Sequence, residues 1–190
     1  AISNWRDGIH CKDNRVGPII EHCYFESLLD DSINVSQNTM MAERVISPDT
    51  FRLTKFPGNV PWTAETTAVR QGDRLMVFYP TTGEYLGPFK VTKIDENDLQ
   101  TVTLEKPLEN VVTGRIVRNK DELATHFYNL DQSNAGFIIR NNIFGPQRRH
   151  GILARSENGL IENNLIVGTG GAAIELSNEY DNDPSLTDSF

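Results

Sequence analysis

The chain has 190 residues, and its hydrophobic content of 38% is ordinary for a globular protein. Its apolar runs are too short for a membrane-spanning helix, and Ala1-Ile2-Ser3-Asn4-Trp5 has neither the basic start nor the apolar core of a signal peptide. Against 26 acidic residues stand 18 basic ones, a formal charge of -8, which argues against nucleic acid or an anionic membrane as partner and is compatible with a neutral glycan.

In chain order, the first elements are Asp7-Gly8-Ile9-His10, then Ile20-Glu21-His22-Cys23-Tyr24-Phe25, then Asp31-Ser32-Ile33-Asn34 with Asp30 just before. After a long interval the series resumes as Ile139-Arg140-Asn141-Asn142-Ile143-Phe144 and His150-Gly151-Ile152-Leu153. It closes with Ile161-Glu162-Asn163-Asn164-Leu165-Ile166 and Ala172-Ala173-Ile174-Glu175. Phe25 to Ile33, Phe144 to Ile152 and Ile166 to Ile174 are each 8 positions, a shared step that marks a repeat. The period is 24 residues from Ile9 to Ile33 and 22 from Ile152 to Ile174. Each unit holds short β-branched runs separated by Gly, Asn, Ser or Asp, without helical apolar spacing. The regular leucines of a leucine-rich repeat are absent, which leaves an all-β coil, a parallel β-helix with one turn per repeat.

Equivalent slots of adjacent coils then lie about 4.8 Å apart. Asn142 stacks on Asn164 and Asn141 on Asn163, as side-chain amides laddered at the bends. Cys11 and Cys23 are half a coil apart and read as two buried thiols rather than a disulfide. The chain opens within one coil and closes after roughly four, and the acidic run Asn178 to Pro184 reads as a loop. A segment of a longer protein is expected.

Ile33 to Ile139 is 106 residues, where an uninterrupted coil needs roughly 10. The insert carries β patterns at Arg74-Leu75-Met76-Val77-Phe78-Tyr79, Phe89-Lys90-Val91-Thr92-Lys93-Ile94 and Thr101-Val102-Thr103-Leu104. Turn signals at Pro80-Thr81-Thr82-Gly83 and Asp95-Glu96-Asn97-Asp98 separate them. Successive strands at this spacing predict an antiparallel β-barrel or small sandwich, entered through Gln71-Gly72-Asp73. The expected organisation is β-helix coils over residues 1–38, an inserted barrel-like domain over 39–127, and coils again over 128–190.

Asp31 occupies the slot that Asp7 holds one coil earlier, with Asp30 adjacent. Stacked carboxylates repel, so at least one should have a raised pKa. Such a cluster can hold one proton and one free carboxylate near neutral pH, the equipment of glycoside hydrolysis. A calcium site and plain turn aspartates are the alternatives. Strict alternation would turn Asp7 and Asp31 to the same side as Ile9 and Ile33, so the site requires a bend between them, which Gly8 allows in one coil.

Asp7 to Cys11, Ile20 to Phe25 and Asp30-Asp31-Ser32-Ile33-Asn34-Val35 together resemble the catalytic region of glycoside hydrolase family 110, bacterial exo-α-1,3-galactosidases. Ile138 to Asn142 and Arg148-Arg149-His150-Gly151-Ile152-Leu153 resemble that family's following coils, although the family usually shows Arg-x-Arg-Gly where this chain has His150. The resemblance implies a right-handed, pectate-lyase-like parallel β-helix with β-barrel insertions. It also implies an inverting hydrolase that removes terminal α-linked galactose from an oligosaccharide or glycan without a cofactor or metal, in a bacterial protein that is secreted, periplasmic or on the cell surface. It places acid and base roles on Asp7, Asp30 and Asp31: Asp30 as acid, Asp7 and Asp31 holding the water.

Around the trio, His10 and Asn34 share a slot and are candidates to bind sugar hydroxyls. Arg148 and Arg149 come from the coil after the insert and are candidates to orient a carboxylate or a hydroxyl. Glu175 shares the His10 slot two coils further on and is a candidate to face the same groove. Trp5 and Trp62 are readable either as sugar-stacking or as core residues, with core packing the favoured reading. Two other functions remain open: a polygalacturonase-like glycanase, which ranks lower because a uronate needs a basic subsite and only Arg148 and Arg149 are obvious for it, and a non-catalytic glycan-binding β-helix protein.

Overall fold

The computed structural model describes residues 3–55, 69–114 and 123–177. Trp62 and the acidic run from Asn178 to Pro184 lie outside the described residues. The chain divides into two compact units. One is built from the described residues up to Gln37 and again from Gln132 onward, the other from those between Asn38 and Asp131.

The first unit holds three parallel sheets. One is made of β1 (Ile9–Lys12), β4 (Ile33–Ser36), β13 (Ile152–Ala154) and β16 (Ile174–Leu176) in that order. The second is β2 (Ile19–Glu21), β11 (Ile138–Arg140) and β14 (Leu160–Glu162), and the third is β3 (Tyr24–Phe25), β12 (Ile143–Phe144) and β15 (Leu165–Ile166). The register pairs Ile9 with Ile33, Ile33 with Ile152, and Ile152 with Ile174, the slots the repeat predicts. Ile33, Val35, Ile139, Phe144 and Ile152 are fully covered and form its core, where Phe25 stacks on Phe144 with ring centroids 5.1 Å apart.

Between β2 and β3, and at the matching point of the later repeats, the chain turns through a left-handed residue. His22, Asn141 and Asn163 have φ of 57°, 56° and 53°. Asparagine tolerates this region better than most residues. The next slot carries the amide ladder. Asn164 Oδ1 accepts from the N–H and the Nδ2 of Asn142, and Asn142 Oδ1 accepts from the N–H of Cys23. Cys11 and Cys23 are free thiols, as expected, but both are only half-buried at the margin of the core rather than enclosed in it. Trp5 is 75% exposed, which overturns core packing for that residue.

The second unit is a closed antiparallel barrel in the order β10-β5-β6-β9-β8-β7. Its strands are β5 (Met40–Ser47), β6 (Thr50–Lys55), β7 (Arg74–Tyr79), β8 (Glu84–Ile94), β9 (Thr101–Leu104) and β10 (His126–Asn129). Phe51, Leu53, Leu75, Val77, Val91, Val102 and Phe127 fill its interior. The sequence patterns at Arg74–Tyr79 and Thr101–Leu104 coincide with β7 and β9; the third pattern is the C-terminal half of a longer strand. Among the described residues no helix is long and apolar enough to cross a membrane.

Candidate active site

The parallel ladder of the first unit continues past its strands into the loops that precede β1, β4 and β13. Gly8 N–H donates to the Asp31 carbonyl, Ser32 N–H to that of His150, and Gly151 N–H to that of Ala172. Asp7, Asp31 and His150 therefore occupy one slot on three successive chain segments. A bend falls at Gly8, Ser32 and Gly151, between each of these residues and the isoleucine that enters the core. That bend separates the polar slot from Ile33 and Ile152. At the two glycines the segments approach too closely for a side chain: a Cβ at Gly8 would stand 2.7 Å from the Ser32 carbonyl oxygen and one at Gly151 2.5 Å from that of Ala173.

Asp7, Asp30 and Asp31 each offer a carboxylate oxygen within 4.8 Å of the others. Asp7 is held by three donors or potential donors: the Asp31 N–H at 3.2 Å, Asn34 Nδ2 at 3.2 Å and His10 Nδ1 at 3.0 Å. Asp30 accepts from the Asp31 N–H at 3.1 Å and from Arg149 Nη1 at 3.0 Å. Asp31 accepts from the His150 N–H at 3.1 Å, and its Oδ1 lies 2.9 Å from His150 Nδ1 and 4.0 Å from Arg149 Nε. Side-chain exposure grades the three: 23% for Asp30, 9% for Asp7 and 2% for Asp31. The trio spacing is compatible with a cation, and Arg149 and His150 bring donors or potential donors to two of the three carboxyls.

Burial pushes the Asp31 carboxyl above its ordinary range. The two bonds from His150 and the Arg149 charge act in the opposite direction, and the neighbouring Asp7 carboxylate adds to the rise. Loss of hydration disfavours the charged form, and the donors recover part of that loss.

The structure brings His10, Asn34, Arg149 and Glu175 to this cluster. His10 bridges Asp7 and, at 3.0 Å from Nε2, the Ser36 hydroxyl. The bond from Asn34 Nδ2 to Asp7 fixes the amide orientation, since the reverse would face two oxygens at each other. It leaves Asn34 Oδ1 buried without a protein partner. Glu175 Oε2 lies 2.9 Å from His150 Nε2. Arg148 is exposed, and its backbone N–H donates to Leu28, so it does not join the trio. Gln147, 8% exposed, bonds the Ser32 hydroxyl and the His150 carbonyl, tying the loops together.

His150 is the residue that sequence reasoning missed. Its signal was available: it precedes Ile152 by the same two positions that separate Asp31 from Ile33 and Asp7 from Ile9. The slot alignment lists it as the third member of the aspartate row.

No protein-family model matches the chain. A curated relative, Alpha-1,3-galactosidase B of Akkermansia muciniphila, is 29% identical over 177 residues, which is 91% of this chain and 20% of that protein. The chain thus spans about a fifth of the length of the relative it matches. This similarity supports a distant relationship to a galactosidase.

Proposed function

We propose that this chain is the catalytic region of an inverting glycoside hydrolase that removes terminal α-1,3-linked galactose from glycans. On this reading the three parallel sheets, built from the described residues up to Gln37 and again from Gln132 onward, are coils of a right-handed parallel β-helix, and the antiparallel barrel is a domain inserted into that chain. The observation that carries the proposal is the convergence of Asp7, Asp30 and Asp31, with their oxygens within 4.8 Å of one another. The similarity to a galactosidase over 91% of the chain supports the choice of sugar. A secreted, periplasmic or cell-surface location goes with a glycan substrate.

Asp30, the most exposed of the trio, donates a proton to the glycosidic oxygen as its bond to C1 breaks. Asp31, with Asp7, takes a proton from a water that attacks C1 from the opposite face. Arg149 reaches both Asp30 and Asp31 and keeps their carboxyl groups oriented. The free Asn34 Oδ1 is available to accept from a sugar hydroxyl.

In the full-length protein, Asp30→Asn should lower turnover of an α-1,3-galactosyl disaccharide by about 10²–10⁴-fold. A p-nitrophenyl α-galactoside should be affected less, because its leaving group needs little protonation. Unchanged turnover of the disaccharide removes Asp30 from the mechanism. Inversion has its own test. The closest carboxylate oxygens fall nearer the roughly 5–5.5 Å of retaining pairs than the 6.5–9.5 Å of inverting ones. Proton NMR of the first product should show β-galactose; α-galactose would make the enzyme retaining.

A further inference from the structure

We infer that His150, held between Asp31 and Glu175, is a positioning residue: it serves as a doubly protonated ring that keeps Asp31 ionised for its role as base. The inference rests on the hydrolase reading above for the meaning of that role, and on the geometry for the state of the ring.

His150 Nδ1 stands 2.9 Å from Asp31 Oδ1, and Nε2 stands 2.9 Å from Glu175 Oε2. A neutral imidazole has one N–H and one acceptor nitrogen, and an ionised carboxylate only accepts. With both carboxylates ionised, both contacts are hydrogen bonds only when both ring nitrogens carry protons. The backbone N–H of the same residue donates to the same Asp31 oxygen at 3.1 Å, so the ring and the main chain of His150 grip one atom.

The surroundings suit a charged ring. Asp31 before β4 and Glu175 on β16 contact the ring, and Asp7, Asp30 and Arg149 join the cluster through Asp31, with His10 on Asp7. Four carboxylates there share one guanidinium, and a protonated His150 brings the charges closer to balance. The site is also well covered, with side-chain exposure of 17% for His150 and 2% for Asp31, so water screens the interaction little. Room is kept for the ring: a Cβ on Gly171 would come within 2.9 Å of His150 Cδ2 and 3.0 Å of Nε2. The opposite assignment, a proton on Asp31 donated to a neutral Nδ1, would make Asp31 an acid.

Nitrogen-15 histidine NMR of the full-length protein distinguishes the two, with the His150 signals identified by their loss in His150→Asn. At pH 7 both ring nitrogens should be protonated in the wild type. A single protonated ring nitrogen in the wild type overturns the inference. The kinetic readout uses the α-1,3-galactosyl disaccharide. His150→Asn should move the acidic limb of kcat/KM upward by about one pH unit, with KM changed less than about twofold. A fall in kcat with the limb unmoved would mean His150 only supports the fold, and would overturn the positioning role. Should the wild type hydrolyse no galactoside, the hydrolase reading fails by itself, while the NMR still decides the state of the ring.

Discussion

The parallel-sheet unit and the barrel both bury aromatic and aliphatic side chains, yet they place polar groups differently. In the parallel unit a slot recurs on each repeat, so polar side chains of one slot meet each other. Asp7 lies beside Asp31, Asp31 beside His150, and Asn142 beside Asn164. In the barrel, buried polar groups mostly serve the turns and strand ends. Asp73 accepts from the Arg70 N–H and from Asn129, and Gln100 donates to the Leu53 carbonyl. Stacking of parallel repeats brings like slots together, whereas in the barrel Arg52 pairs with the opposite charges of Glu43 and Asp98. That difference explains why the acidic cluster arises in the unit whose strands are shortest.

The largest stability effect should come from each unit's aromatic centre. Phe144 is fully covered and stacks on Phe25; Phe51 is fully covered and packs 5.8 Å from Phe127. Truncation of either to alanine should cost about 3–5 kcal/mol through lost burial and a cavity. Chemical denaturation followed separately in each unit is the measurement. Phe144→Ala should lower the midpoint reported from the parallel sheets and Phe51→Ala that from the barrel. A loss below about 1 kcal/mol in either would mean that core collapses around the gap.

The parallel unit was legible because its information is a fixed step. Once Ile9, Ile33, Ile152 and Ile174 were aligned, the pairing of Asp7 with Asp31 and of Asn142 with Asn164 followed. The barrel was legible only in part. Arg74–Tyr79 alternates buried and less buried residues and was read as a strand. Met40–Ser47 was not, because three buried residues, Met40 to Ala42, and three exposed ones, Arg44 to Ile46, stand on either side of a half-buried Glu43 instead of alternating. Irregularities between Ala42 and Arg44, and between Val45 and Ser47, break its period of two. In the site, slot alignment reveals neighbours directly above and below. The contact from Glu175 to His150 runs diagonally, between residues three positions apart in slot, and depends on side-chain reach.

The two units should also answer acid in opposite directions through their buried titratable groups. Burial lowers the His126 pKa in the barrel from 6.5 to about 4. Below 6.5 the unfolded chain takes up the proton first, so stability present above pH 6.5 is lost as pH falls towards 4, by up to about 3 kcal/mol. Asp31 has the reverse sign. Its folded value lies above 3.8, so as pH rises from there the unfolded chain ionises first and Asp31 alone subtracts stability until its own raised value is passed. Unfolding followed in the barrel from pH 7 to 4 should steepen in the wild type and flatten in His126→Phe. A flat wild-type profile would contradict the burial effect.

The smallest effect should come from the amide ladder, and it tests whether stacked repeats reinforce one another. Asn142 is 1% exposed; it donates to the Ile20 carbonyl and accepts from the Cys23 N–H, groups that belong to the preceding repeat. Asn142→Ala leaves both without that partner and should cost about 1–3 kcal/mol. Asn164 makes the equivalent bonds, donating to the Ile139 carbonyl and accepting from Asn142, but is only half-buried. Water can replace more of its bonds, so Asn164→Ala should cost less. The double variant discriminates further: a loss smaller than the two single losses combined shows that the amides act as one hydrogen-bonded column, because removal of either already disrupts the bond they share. Strict additivity would mean each asparagine serves only its own bend.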